Sequence, residues 1–174
     1  MIVAVFCGSS TPRTEALSQA AADLGTALAA AGHTLVYGGS NLGLMGAVSG
    51  AALAAGGHVV GVIPTFFGDD IISSQPVSQL VRVADMAERK AYILGHSDAF
   101  IALPGGIGTI DEVSEVMVAN QLRLMAKPMV LLNVGGFYDA FLTQLEGMRS
   151  QGFLRTDCGL RVATSVGQSL TLIG

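Results

Sequence analysis

The chain has 174 residues, of which 51% are hydrophobic and 13% charged, with a formal net charge of -4. That length suits one domain, residues 1–174, around one sizeable core, and the lack of any basic tract excludes the electrostatic footprint of a nucleic-acid binder. No stretch free of Gly, His, Pro and charge reaches the roughly 20 apolar residues of a membrane span, and two cysteines, Cys7 and Cys158, make no disulfide framework. A soluble, cytoplasmic protein without a membrane partner is expected, apolar enough to bury some surface between subunits.

Taken in chain order, apolar runs alternate with helix-like segments. Ile2–Phe6 reads as a buried strand and not a signal peptide, because it lacks a basic leader and turns at once into Gly8. Thr14–Ala31 is rich in Ala and Leu and stops at Gly32. Leu35–Tyr37 is a second strand, Leu44–Ala55 a helix closed by Gly56-Gly57, and His58–Ile63 a third strand. Pro64–Gln79 reads as a long loop, Leu80–Ala84 as a fourth strand and Met86–Leu94 as a short helix. Ala99–Leu103 is a fifth strand, followed by the Gly-rich turn Pro104–Thr109 and a helix over Ile110–Met125. Met129–Asn133 is a sixth strand, Phe137–Arg149 a helix, and Leu160–Gly174 an edge strand with a helical turn.

Short apolar strands separated by helices imply right-handed βαβ crossovers. The fold class is therefore α/β: a three-layer Rossmann-like domain with a parallel sheet flanked by helices. In such sheets ligands bind beyond the carboxyl ends of the strands, so the turns after the strands are the candidate sites. The first, Cys7-Gly8-Ser9-Ser10, can offer backbone N–H groups and hydroxyls. The second, from Tyr37 to Gly46, holds Gly38, Gly39, Gly43 and Gly46, more than a simple turn requires. The third, Pro104-Gly105-Gly106-Ile107-Gly108-Thr109, runs from a strand into a helix N-terminus, where unpaired N–H groups and the helix dipole favour a phosphate. Glu112 is expected to face the same ligand, whereas Glu115, three residues on, is expected to matter little. Met86-Ala87-Glu88-Arg89-Lys90 brings two cations to a strand's carboxyl end, where Arg89 can clamp a phosphate or ribose.

The run Pro104-Gly105-Gly106-x-Gly108-Thr109-x-x-Glu112, with Met86-x-x-Arg89-Lys90, resembles the Lonely Guy (LOG) family of cytokinin riboside 5'-monophosphate phosphoribohydrolases. The similarity extends through Val5–Ser9, Tyr37–Gly46, Gly61–Pro64, Val83–Asp85 and Leu131–Asn133. It implies a homodimer that hydrolyses the N-glycosidic bond of an adenine-type nucleoside 5'-monophosphate to free base and ribose 5-phosphate. By position, Arg89 and Glu112 match the family's catalytic pair. Met86, Lys90 and the turn Gly105–Thr109 match its nucleotide-binding residues, with Gly8, Ser9 and Gly39 as further candidates. The chain departs from the family at Ala87, where His is usual, around Asp70 and Ile71, where Glu is frequent, and at Val118-Ala119, which replaces a Thr-Trp pair.

In this chemistry a carboxylate stabilises the cationic sugar and orients water, the role expected of Glu112. A cation holds the substrate and offsets charge on the leaving base, the role expected of Arg89. No metal or cofactor is called for, and His33, His58 and His96 are scattered outside the motifs. A pyridoxal-phosphate decarboxylase needs a Schiff-base lysine, and only Lys90 and Lys127 are present. A nicotinamide dehydrogenase would show G-x-G-x-x-G in the first turn, which this chain lacks. The alternative from another functional class is a non-catalytic nucleotide-binding or carrier protein, which would share the glycine turn but not need Arg89 and Glu112 together.

Overall fold

The computed structural model describes residues 1–68, 77–154 and 158–174. Its elements run β1 (Ile2–Phe6), α1 (Glu15–Ala30), β2 (Thr34–Tyr37), α2 (Gly43–Ala54), β3 (Val59–Pro64), β4 (Gln79–Val83), α3 (Met86–His96), β5 (Ala99–Ala102), α4 (Ile107–Gln121), β6 (Met129–Leu132), α5 (Asp139–Ser150), β7 (Leu160–Ala163) and α6 (Val166–Ile173). The strands form one parallel sheet in the order β4-β3-β2-β1-β5-β6-β7. The expected three-layer α/β fold is the observed one. Asp70 and Ile71 lie outside the described residues.

Two-residue periodicity sorts each strand between two cores. Val3, Val5 and Cys7 join Leu24, Leu28, Val48 and Ile173 on the face covered by α1, α2 and α6. Ala4, Phe6, Phe100 and Ala102 join Ile93, Val113, Val116 and Leu145 on the face covered by α3, α4 and α5. Because both faces are covered, β1, β3, β5 and β6 carry almost no polar residue.

The chain winds outward from β1 through β2 and β3 to β4, then returns to place β5 on the other side of β1. The loops leaving β1 and β5 therefore diverge and leave a crevice between them, the topological switch point of an open α/β sheet.

One boundary differs with consequence. The helix expected from Ile110 starts at Ile107, and it ends at Gln121 instead of Met125. A first-turn amide has no ladder partner to lose, so Gly108 sits there at little penalty. Beyond the other end, Arg123 adopts a left-handed φ of 59°, which stops the helix. Glu112 is thus in the second turn, and the first turn contains no acid.

The floor of the crevice is tied from the β6 side. Tyr138 is fully buried and its hydroxyl donates to the Leu103 carbonyl at 2.6 Å, just before Pro104 and Gly105. Asn133 Oδ1 accepts from the Tyr138 backbone N–H at 2.7 Å. Replacing Tyr138 by Phe leaves that buried carbonyl without its donor. We expect a loss of about 1–2 kcal/mol in urea unfolding. An unchanged midpoint would show that this bond does not brace the turn.

Candidate active site

A cleft of about 440 Å³ occupies the switch point. One wall is the turn Cys7–Pro12 after β1; the other is Pro104–Gly106 with the first turns of α4, and Met86 and Arg89 of α3 close it. Leu44 and Met45 contribute from α2, and Phe137 from the turn after β6. The carboxyl-end rule points to every one of these turns. Phe137 lacked a glycine-rich or charged signature strong enough to be singled out, although Gly135-Gly136 precedes it.

Arg89 and Glu112 meet here. Arg89 Nη2 lies 3.5 Å from Glu112 Oε1, and both side chains are more than nine-tenths buried. The Arg89 guanidinium also donates through Nε to the Val62 carbonyl at 3.2 Å, and Nη1 lies 3.8 Å from Met86 Sδ. Asp85 caps α3 by accepting from the Glu88 N–H at 2.8 Å, which fixes the helix that carries Arg89. The bare backbone at Gly38 leaves room for the guanidinium: a Cβ there would fall 2.0 Å from Arg89 Nη2 and displace it from this position.

The electrostatics of Glu112 follow from its burial. Loss of solvent pushes its carboxyl up to about 7; Arg89 and Lys90 pull it down, while Asp111 and Glu115 add to the rise. Glu112 therefore exchanges a proton near neutrality, where an acid–base group is most effective. Cys7 lies on the same floor. Burial, reinforced by Glu112, pushes its thiol well above the ordinary range, so it is a neutral wall and not a nucleophile.

At the other end of the cleft, the backbone of Gly106 takes the cap position of α4, and no side chain caps it. The first-turn amides are open toward Ser9, Ser10 and Thr11, which line the facing turn. Thr109 is buried on that first turn, and Gly105 lets it close in: a Cβ at 105 would fall 2.1 Å from Thr109 Oγ1. An uncapped helix start beside the hydroxyl side chains of Ser9, Ser10, Thr11 and Thr109 has the chemistry to receive a phosphate-sized anion.

Met86, Ser9, Gly105, Gly106, Gly108 and Thr109 line the cleft as expected. Four expected positions behave otherwise. Gly8 lines the cleft, but its N–H is occupied by the Pro104 carbonyl at 3.2 Å and its carbonyl by the Leu44 N–H at 3.0 Å, so it joins three turns together. Gly39 is outside the lining; its φ of 79° brings the backbone against Val62 and Ile63. Ile107 is 86% exposed and also outside it. Lys90 turns away to Asp111 at 3.0 Å and Glu115 at 3.1 Å. Glu115 is accordingly paired with Lys90, a contact that its place in the sequence did not suggest. Only spatial neighbours decide these four, because each carries the right residue type in the right turn. Among the described residues no group of His, Cys, Asp and Glu is arranged to hold a metal ion, and no helix is long and apolar enough to cross a membrane.

Comparison with known proteins agrees with this geometry. Residues 45–169 match the family described as "Possible lysine decarboxylase". Cytokinin riboside 5'-monophosphate phosphoribohydrolase LOG5 of Arabidopsis thaliana is 48% identical over 153 residues, 88% of this chain and 67% of the relative. The LOG protein of Oryza sativa subsp. japonica is 45% identical over 155 residues, 89% of this chain and 64% of the relative. The chain thus spans about two thirds of the length of these relatives. Among solved structures, the Moco carrier protein of Chlamydomonas reinhardtii superposes with a TM-score of 0.73 at 28% identity, covering 98% of this chain and 93% of the carrier. The matching motifs, the paired Arg89 and Glu112 and the level of identity lead to one conclusion: this chain belongs to the LOG family of hydrolases.

Proposed function

We propose that the protein hydrolyses the N-glycosidic bond of adenine-type nucleoside 5'-monophosphates, cytokinin riboside 5'-monophosphate or AMP, giving free base and ribose 5-phosphate. The observation that carries this is the buried Arg89–Glu112 pair at 3.5 Å in the same cleft as the uncapped start of α4. The phosphate docks on the α4 amides, with the hydroxyls of Ser9, Ser10 and Thr109 around it. The ribose then extends toward Glu112. As the C1'–N bond breaks, its electron pair leaves with the base and C1' becomes cationic. The Glu112 carboxylate stabilises that cation and takes a proton from the water whose oxygen bonds to C1'. Arg89 holds the ribose and offsets negative charge on the departing base, which takes a proton from solvent, while Glu112 returns to solvent the proton it took from water. Met45, Met86 and Phe137 give the cleft an adaptable apolar rim suited to a base. A carrier reading is favoured only by the Moco carrier's similar fold; a carrier would bind nucleotide without turnover.

We further propose a homodimer formed through the outer face of α4 and the loop after it. On α4 and the loop after it, Val116 and Met117 lie in the core and Met125 packs against it. Val118, Leu122 and Leu124 are 53%, 62% and 77% exposed, surface that a second copy would cover. Light scattering should give twice the chain mass at micromolar concentration, and Leu122→Glu should halve it. A wild-type monomer would reject this assembly.

Glu112→Gln keeps the shape of the side chain and removes its charge. We expect AMP hydrolysis, followed by chromatography of the released base, to fall about 10²–10⁴-fold while nucleotide binding survives. Arg89→Ala should lower turnover and weaken binding. Glu146→Gln, exposed on α5 beside Arg149, is the control and should be neutral. Near-normal hydrolysis by a folded Glu112→Gln protein would refute the mechanism.

The position of the Glu112 titration, about 7 against an ordinary 4.5, gives two pH effects. Activity should rise with pH through roughly 7 as the carboxylate forms. Stability should move the opposite way. Between those values the folded chain holds a proton that the unfolded chain has released, so the stability this group contributes is full below 4.5 and is lost as pH rises through about 7. Denaturation measured at pH 5 and pH 8 should show that loss in the wild type and a smaller one in Glu112→Gln. Equal losses would place the Glu112 titration elsewhere.

A further inference from the structure

Lys90 has the residue type of a phosphate ligand and stands next to Arg89, yet it faces the other way. Its ammonium sits between Asp111 Oδ2 at 3.0 Å and Glu115 Oε2 at 3.1 Å, and it does not line the cleft. Asp111 and Glu115 are four residues apart and so share one face of α4. Glu112 follows Asp111 directly. Two consecutive residues of α3, Arg89 and Lys90, therefore bridge to α4 as a double clamp. Arg89 is the inner, buried rung against Glu112, and Lys90 is the outer rung against the two flanking acids.

We propose that Lys90 is a positioning residue: its paired contacts to Asp111 and Glu115 lock α3 against α4, and so set the separation and charge state of the Arg89–Glu112 pair, without touching the substrate phosphate. The proposal rests on the hydrolytic roles given above to Arg89 and Glu112. The charges explain why the outer rung is needed. Three acids, Asp111, Glu112 and Glu115, lie along this stretch of α4 and two cations, Arg89 and Lys90, face them from α3. From the end of β1 the nearest titratable neighbour of Glu112 is the neutral Cys7 thiol. Without Lys90, both flanking carboxylates lose their cation within reach of Glu112. Their repulsion then favours its protonated, inactive form and draws the Arg89 guanidinium away from Glu112. To reach a substrate phosphate, Lys90 would have to abandon two carboxylates for one anion.

The test is Lys90→Met, which keeps the stem and removes the charge, with Lys90→Arg as the conservative variant. Two measurements separate the possibilities: kcat and KM for AMP across pH, and the Glu112 carboxyl titration by ¹³C NMR in substrate-free protein. In Lys90→Met the Glu112 midpoint should rise, kcat at pH 7 should fall about tenfold, and KM should stay within about twofold. Lys90→Arg should restore most of the turnover. Adding Asp111→Asn to Lys90→Met should move the midpoint back down. A KM raised about tenfold or more with an unmoved Glu112 midpoint would make Lys90 a substrate contact and overturn the proposal. A lower melting temperature with an unmoved midpoint would make it a plain structural pair, with the same result. If Lys90→Met does not fold, Asp111→Asn alone supplies the reading: a lowered midpoint supports the clamp and an unmoved one refutes it. Because the titration needs no turnover, it still decides the point if AMP proves not to be the substrate. Failure of the hydrolytic reading and failure of this one are therefore distinguishable.

Discussion

The buried pair of Arg89 and Glu112 is the contact around which the rest of the structure is arranged. Taking a guanidinium and a carboxylate out of water together is expensive, and their attraction offsets that penalty only where geometry and additional hydrogen bonds are good. The fold provides them. The Val62 carbonyl receives Arg89 Nε, Asp85 fixes the start of α3, and the bare backbone at Gly38 leaves room for Nη2. Even so, Glu112 is not fully compensated, and its proton affinity is raised to near neutrality. A partly compensated charge lowers stability at neutral pH, and on the proposed mechanism it is what a carboxylate meeting a cationic sugar requires. The site would then trade a little stability for reactivity, a common pattern where catalysis sets the constraint.

The position of the pair is a consequence of topology. A parallel sheet presents all its carboxyl ends on one side, and reversal of winding between β1 and β5 opens a crevice there. Into that crevice come a small-residue turn from β1 and a glycine-rich turn from β5. The first-turn amides of α4 face it as well. On the proposed reading, phosphate recognition and glycosidic chemistry occupy one helix: the first turn of α4 offers N–H groups, and the second carries Glu112. A single rigid element would then set the distance between anion site and reacting carbon. The Moco carrier protein shares this scaffold. One sheet with one crevice can serve binding or turnover, and the difference lies in side chains placed at its rim.

The proposed dimer would use the outer surface of the same helix. Its inner residues, Val113, Val116 and Met117, anchor it to the sheet, while Val118, Leu122 and Leu124 beyond the site remain uncovered. Packing between two copies along this surface would stiffen the element that bears Glu112, so assembly and catalysis would share one structural support.

Much of the fold was legible in the sequence, because its signals are local. The strand–helix alternation, the nearly all-apolar strands and the glycines after β1, β2 and β5 depend on backbone sterics and burial acting over a few residues, and they determined an α/β sheet with its candidate sites at the carboxyl ends. Arg89, Glu112 and the turn from Gly105 to Thr109 were legible too, since each sits in a motif whose spacing is read along the chain. What only the tertiary structure decided was partnership. Lys90 and Arg89 are neighbours in sequence on one helix, but the register of α3 against α4 sends one to the cleft and the other to Asp111 and Glu115. Gly8 was legible as a turn, but not that Pro104 from a distant strand would occupy its N–H. Gly39 and Ile107 were placed with the ligand by proximity along the chain, and strand packing and helix phase put both outside the cleft lining. Phe137 entered the cleft only because β6 lies beside β5. A sequence fixes which backbone shapes and charges are available locally; strand order and helix register, set by the burial of both sheet faces at once, determine which of them meet.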